Sequence, residues 1–279
     1  MKFGFIGAGK VGFSLGKYLA VKGQEVTGYY SEFYEDAIEA ARFTDSRSYE
    51  NMEQLLEDSD VIFLTVPDGL IGNLWNQLKA YHLTNKIVCH TSGALSSEIF
   101  EGITERGSFG YSIHPLFAVS DQYTSYKDLS NSFFTIEGAE ERLEEMKTLL
   151  EGLGNPVRVI SKENKIKYHA AAATASNLVV GVLHMAETLM QECGFEGQQA
   201  GDALAPIIRG NVENILRQGS VQALTGPIER NDVTTVKKHL SVLEGKNLET
   251  YQVLSKNLVD IAKEKYPTRD YDEMEEVLS

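Results

Sequence analysis

In the stretch NKIKYHAAAATASN, residues 164–177, Lys165, His169, Ala173 and Asn177 recur every four residues. On a helix that spacing stacks side chains into one row. An ammonium, an imidazole and a carboxamide in one row could polarise a carbonyl, hold it and move a proton. Alanine at 170–173 and 175, with Ser176, lowers the wall beside the row. Close packing of another helix explains the alanines. It does not explain a lysine with a histidine one turn behind it. Lys167 points almost opposite, toward solvent.

More candidates for chemistry follow short apolar runs. Val66-Pro67-Asp68, His90-Thr91-Ser92-Gly93 and His114-Pro115-Leu116 each close such a run. Singly, Pro67 ends a strand, Ser92 caps a helix and His114 satisfies a carbonyl. Their shared place at strand ends turns Ser92 and His114 into site candidates. The segment GAGKVG, Gly7-Ala8-Gly9-Lys10-Val11-Gly12, lies between the apolar run Phe3–Ile6 and a helical pattern. GxGxxG between strand and helix is a dinucleotide-binding loop. Gly7 permits the turn, Gly9 admits a pyrophosphate and Gly12 brings helix and strand together, with the phosphates on the helix N-terminus. At the end of the second strand stand Tyr30-Ser31-Glu32. Ser31 suits a 2′-phosphate and Glu32 opposes it, while Arg42 or Arg47 could add charge. The balance leans to NADP and leaves NAD open.

These residues need elements to position them. Apolar runs at 2–6, 25–30, 61–66, 86–90, 108–113, 133–136 and 156–160 alternate with helical patterns at 11–21, 33–42, 51–58 and 139–150. The alternation predicts βαβ units and a mainly parallel sheet. Ligands of such sheets lie beyond the carboxyl ends of the strands, where the loops above converge. After Ser161 the pattern is helical: one long helix over 162–192, then 197–218, 231–244 and 247–264. The expected architecture is α/β, a Rossmann-like doubly wound sheet over 1–161 followed by an all-α domain over 162–279. The tail from Tyr266, rich in acids, is expected on the surface.

Bulk properties narrow the partners. The 279 residues carry a formal net charge of −14, with 42% hydrophobic and 24% charged residues. A chain this size builds a sizeable core. The negative balance repels nucleic acid. Two cysteines, Cys89 and Cys193, with no CxxC or Cys/His cluster, argue against disulfides and metal and for a reduced cytoplasmic setting. No apolar stretch reaches membrane-spanning length. The partner is a small molecule.

Taken together, the motifs resemble the short-subunit oxidoreductases that join a Rossmann-like domain to a helical C-terminal domain once of unassigned function. The matching pieces are the glycine loop, Val66-Pro67-Asp68, His90 to Ala94, Ile113 to Leu116, Lys165-x-x-Tyr168-His169 with the alanines after it, Ser176-Asn177, Leu224-Thr225-Gly226-Pro227-Ile228-x-Arg230-x-Asp232, and His239-Leu240. The group is similar to pyrroline-carboxylate reductases, β-hydroxyacid dehydrogenases and ketopantoate reductases. The resemblance implies hydride transfer from a reduced nicotinamide to a small 2-keto acid, ketopantoate first, or to a cyclic imine. A cofactor-binding sensor without turnover is the reading of another class. In the relatives a lysine opening the long helix acts on the substrate carbonyl, and Lys165 matches it. His169 stands where they carry asparagine, Glu32 where a basic residue is common, and Asn231 where they have glycine. Arg230 becomes a candidate for a substrate carboxylate. Asp232 is either a substrate contact or the cap of the helix from Val233. Dimer contacts through the helical part imply a homodimer.

Overall fold

The computed structural model describes residues 1–279. Contacts divide the chain into two compact units, Met1–Asn177 and Leu178–Ser279. The strands do end by residue 159, yet the units part at Asn177 rather than near Ser161. The reason is local: the helix from Lys165 is fastened to the sheet through that lysine, as described below.

The first unit is one eight-stranded sheet in the order β3-β2-β1-β4-β5-β6-β7-β8. Its strands are β1 (Lys2–Ile6), β2 (Glu25–Tyr30), β3 (Arg47–Ser48), β4 (Val61–Leu64), β5 (Ile87–His90), β6 (Phe109–Leu116), β7 (Phe133–Gly138) and β8 (Val157–Val159). Every pair is parallel except β6 with β7. The connecting helices are α1 (Lys10–Val21), α2 (Tyr34–Thr44), α3 (Met52–Asp58), α4 (Asp68–Leu78) and α5 (Leu143–Gly152).

The central strands are apolar throughout because both faces are covered. Val61 and Phe63 of β4 join one core cluster, with Phe5, Phe13 and Tyr29; Ile62 and Leu64 join the other, with Ile71 and Trp75. Alternation along one strand thus feeds both layers. Each such side chain contributes roughly 1.5–3 kcal/mol by leaving water. The chain runs outward from β1 through β2 to β3, then returns beside β1 with β4 and proceeds the other way. The crevice at the carboxyl ends of β1 and β4 is therefore the ligand-binding position of the fold.

Residues 162–192, expected as one helix, form a short 3-10 turn, then α6 (Lys165–Ala175) and α7 (Asn177–Glu192). Ser176 breaks the run with φ −121° and ψ −80°. The Thr174 and Ser176 hydroxyls donate to the carbonyls of Ala170 and Ala172 four residues back, a bond that competes with the regular helix ladder.

The second unit is helical: the remainder of α7, then α8 (Gln199–Ala223), α9 (Val233–Leu240), α10 (Gly245–Lys265) and α11 (Asp272–Leu278). Helix α8 runs on past the expected end at 218, with a kink where Gly219 takes φ 81°. The tail from Tyr266, expected on the surface, is instead part of the core. Tyr271, Met274 and Leu278 sit at helical spacing and are fully or almost fully buried against Ile228, Val236 and Val259. The acids between them face out, which is why composition alone misleads there. The Tyr271 hydroxyl donates to the Glu229 carbonyl at 2.9 Å, and the Tyr266 hydroxyl to the Glu229 carboxylate at 2.7 Å. No helix is long and apolar enough to cross a membrane.

Candidate active site

The glycine loop leaves β1 and enters α1 as expected. Gly7 has φ 103°, and a Cβ there would stand 2.8 Å from the Thr65 carbonyl oxygen. A Cβ on Gly12 would meet Thr65 Oγ1 at 2.4 Å. Gly9 differs, because a Cβ there would meet nothing within 4 Å. Protein packing thus requires glycine at 7 and 12, while the space beside Gly9 is left open. Gly9 is the N-cap of α1, and no side chain caps its first turn or places an acid there. The free N–H groups of that turn suit a pyrophosphate.

A cavity of about 510 Å³ opens on this loop, lined by Gly7, Ala8, Gly9, Ser31, Val66 and Pro67 among others. The expected cofactor residues are brought together, with Lys10 and Val11 opening α1 just beyond. Glu32 and the exposed Phe33 also line the cavity, and no lysine or arginine does. Arg47 is paired with Asp58 at 3.4 Å and lies outside the lining. The residues fit a dinucleotide, with a weak cradle for a 2′-phosphate.

A second cavity of about 560 Å³ lies within the first unit, lined by His114, Leu116, Phe117, Tyr168, His169, the alanines at 171–173 and 175, Ser176 and Asn177. His169, Ala173 and Asn177 of the expected row line it together. Lys165, the first member, does not. Its side chain is 1% exposed, and its Nζ donates to the Ser92 carbonyl at 2.9 Å and to Ser112 Oγ at 2.6 Å. Contact of this ammonium with a substrate carbonyl was expected; here it is spent on the β5 loop and β6 instead. Burial lowers its pKa to about 8, with Glu137 and Asp68 pulling back upward.

Ser92 is equally committed. Its hydroxyl donates to Asp68 Oδ2 at 2.6 Å and accepts from the N–H of Ala94 and of Leu95. One hydrogen and two lone pairs are thereby used. Ser92 positions the loop, and its role as a group acting on substrate has no free atom behind it. Glu137 closes the same loop from β7, accepting from Ser97 N and Ser97 Oγ, both at 2.7 Å. His90 is fully buried: Nδ1 accepts from Ser92 N at 3.2 Å, which leaves Nε2 to donate to the Ser96 carbonyl at 3.2 Å. Burial lowers its pKa to about 4, so it is neutral.

His114, near the end of β6, faces the cavity with its Nδ1 at 2.7 Å from the Tyr168 hydroxyl. Burial first, and the Lys165 charge second, lower its pKa to about 4. Gly93 allows this crowding, since a Cβ there would lie 2.6 Å from His169 Nδ1 and 3.0 Å from His114 Nε2. Sequence reasoning picked out neither Tyr168 nor Ser112 as site residues. Tyr168 sits three residues after Lys165, a spacing that could have flagged it; Ser112, inside a strand, carries no such signal.

The two substrate candidates of the second unit read as follows. Asp232 caps α9: Oδ1 accepts from Thr235 N at 3.0 Å and Oδ2 from Thr235 Oγ1 at 2.7 Å. The capping alternative accounts for its carboxylate. Arg230 is exposed. Asn231 takes the left-handed conformation, φ 61°, which asparagine tolerates better than most residues.

Residues 1–115 match the family model of the Rossmann-like domain, and residues 132–258 match that of a Domain of unknown function (DUF2520). This is the pairing of domains that the motifs led us to expect. No curated protein matches the chain. Among solved structures, a protein from Thermotoga maritima is 26% identical with a TM-score of 0.76, covering 94% of this chain and 99% of its own. A candidate NADP oxidoreductase from Bacteroides fragilis is 21% identical with a TM-score of 0.72, covering 93% of this chain and 98% of its own. A pyrroline-5-carboxylate reductase from Coxiella burnetii is 15% identical with a TM-score of 0.61, covering 99% of this chain and 98% of its own. At those identities the last two share the fold.

Proposed function

We propose that this chain, a Rossmann-like domain joined to a DUF2520 domain, is an NAD(P)-dependent reductase of a small 2-keto acid or a cyclic imine. The observation that carries the reading is the open space at Gly9, on an uncapped helix N-terminus, in the crevice at the switch point of the sheet. The relatives named for NADP oxidoreduction and pyrroline-5-carboxylate reduction support it. NADP is the first choice of cofactor, with Ser31 beside the ribose position and NAD left open by Glu32.

The bound nicotinamide supplies hydride to the carbon of a C=O or C=N bond. The chain supplies the rest. His169 and Asn177, on the open cavity, hold the substrate heteroatom. Lys165 acts as a fixed positive charge behind them, favouring the state in which negative charge develops. Asp68, Ser92 and Ser112 keep that charge in place.

Ketopantoate is the first candidate among the keto acids. One observation favours the imine reading. The lining of the 560 Å³ cavity holds no lysine or arginine, and alanine, leucine and phenylalanine dominate it. That wall suits an apolar ring better than a second charge. A homodimer and a cytoplasmic setting belong to the same proposal.

The test is a panel of 2-keto acids and cyclic imines, offered with NADPH and with NADH, and followed by loss of reduced-cofactor absorbance. Turnover of a keto acid or an imine decides between the two substrates. Tight cofactor binding by calorimetry with no turnover of any member would favour the sensor reading. Absence of binding would overturn the cofactor site itself.

A further inference from the structure

The buried lysine leaves a gap in the proposed chemistry. A reduced carbonyl or imine must gain a proton at its heteroatom, and the Lys165 ammonium is not on the cavity wall. We infer that Tyr168 is the proton donor of this site and that His114 is the relay that refills it. The inference rests on the reductase reading above.

Tyr168 lines the cavity beside His169, and its hydroxyl is 2.7 Å from His114 Nδ1. The two rings meet edge to face, at 5.6 Å and 85°, which fixes the hydroxyl relative to the imidazole. His114 is in turn held by β6, paired with Thr135 of β7 across the one antiparallel ladder of the sheet. Lys165 Nζ lies 5.9 Å from the centre of the Tyr168 ring. A cation in that place favours negative charge on the tyrosine oxygen as the proton leaves. Burial raises the Tyr168 pKa, so the group stands as a phenol at neutral pH and serves as acid rather than base. The neutral imidazole of His114 can carry its hydrogen on Nδ1 and give it to the phenol oxygen, leaving the phenol hydrogen for the substrate.

The step balances as follows. Hydride from the dihydronicotinamide adds to the substrate carbon, and the π pair moves onto oxygen or nitrogen. That atom takes the hydrogen of the Tyr168 hydroxyl. The tyrosine oxygen takes the hydrogen from His114 Nδ1 as Nε2 takes one from solvent, and exchange of the ring hydrogens with solvent returns the imidazole to its Nδ1–H form before the next turnover. The net change is one hydride and one proton added to the double bond, with the cofactor oxidised.

Two measurements test the inference. The first needs no turnover: nitrogen NMR of protein labelled at histidine, with the His114 signals assigned through His114→Gln. Hydrogen on Nδ1 at neutral pH is expected. Hydrogen on Nε2 would mean that the phenol hydrogen is already given to Nδ1, and the relay is overturned whatever the protein reduces. The second compares wild type with Tyr168→Phe over the same panel with NADPH. The expected result is a fall in kcat of about a hundredfold or more. NADPH affinity should stay unchanged, and the solvent deuterium isotope effect on kcat seen in wild type should be altered. Turnover by Tyr168→Phe within about threefold of wild type, well short of that general-acid loss, would overturn the inference and leave the reductase reading intact. A wild type that binds NADPH yet reduces no member of the panel would overturn both.

Discussion

At the scale of single residues, the site divides into atoms that are free and atoms that are spent. Lys165, Ser92 and Asp232 are spent, on the sheet, on Asp68 and on a helix cap. His169, Tyr168 and Asn177 instead line a cavity, Tyr168 with its hydroxyl against His114. A spent lysine can still act by its charge, and that can be measured. Lys165→Ala should lower kcat on the order of a hundredfold while changing KM much less, the result expected when charge matters in the transition state. Lys167→Ala, exposed on the same helix, should be nearly silent and is the control. His169→Asn should retain activity and shift substrate preference; His169→Leu should not retain it. Burying an ammonium costs stability, so Lys165→Met should be no less stable than wild type at neutral pH. Its pKa of about 8 lies below the ordinary lysine value, so the unfolded chain binds the extra proton between about 8 and 10.5. Wild-type stability should therefore gain across that window as pH rises, and the Lys165→Met variant should lack the gain in urea titrations. Glu32 is the other informative residue. Glu32→Arg should improve NADP binding over NAD by about 1 kcal/mol or more, the worth of one charge–phosphate hydrogen bond. An unchanged ratio of the two affinities would show that Glu32 points away from the ribose.

At the scale of elements, the glycine loop separates what packing demands from what a ligand demands. Gly12→Ala should destabilise the fold, because Thr65 Oγ1 and the Gly7 carbonyl oxygen stand 2.4 and 2.5 Å from the added carbon. Gly9→Asp should leave the melting temperature nearly unchanged and abolish nucleotide binding, since its side chain enters open space and carries the wrong charge. Calorimetric titration beside thermal melting reads both; equal affinity for wild type and Gly9→Asp would sink the phosphate loop. The strands and this loop were legible in the sequence because buried parallel strands are continuous apolar runs, and glycine spacing reports backbone geometry directly. Three features were not legible. The break at Ser176 depends on hydroxyls bonding back to carbonyls, which serine and threonine also do without breaking a helix. The core role of α11 was masked by the acids between Tyr271, Met274 and Leu278. The burial of Lys165 depends on Ser112 of β6 and on Ser92 of the loop after β5, both far along the chain, and no local spacing announces that.

At the scale of the whole molecule, two properties should be visible in solution. The first is acid sensitivity. His90 is fully buried and neutral, with a pKa of about 4 against an ordinary value near 6.5. The unfolded chain therefore takes up the proton first as pH falls, so stability is full above about 6.5 and is lost as the pH drops toward 4. The loss from this group alone is about 3 kcal/mol. Protonated Nδ1 can no longer accept from Ser92 N, so the loop that holds Lys165 should loosen in the same range. Urea titrations at pH 7 and pH 4.5 check this, and equal midpoints would refute it. The second property is assembly. Helices α7 and α8 carry large apolar side chains in the open: Leu178 is 60% exposed, Val180 68%, Ile207 69% and Leu216 81%. Isolated exposed leucines are ordinary, but several on two long helices mark a surface that needs covering. A chain with net charge −14 repels copies of itself, so association must come from apolar burial there, not from charge. The expected outcome is a homodimer by light scattering at micromolar concentration, no weaker when salt is added, because salt screens that repulsion. Ile207→Glu with Leu216→Glu should convert it to monomer while the histidine-labelled spectrum of the first unit stays unchanged. A wild-type monomer at that concentration would remove the dimer from the proposal and leave the alanines of α6 to the cavity alone.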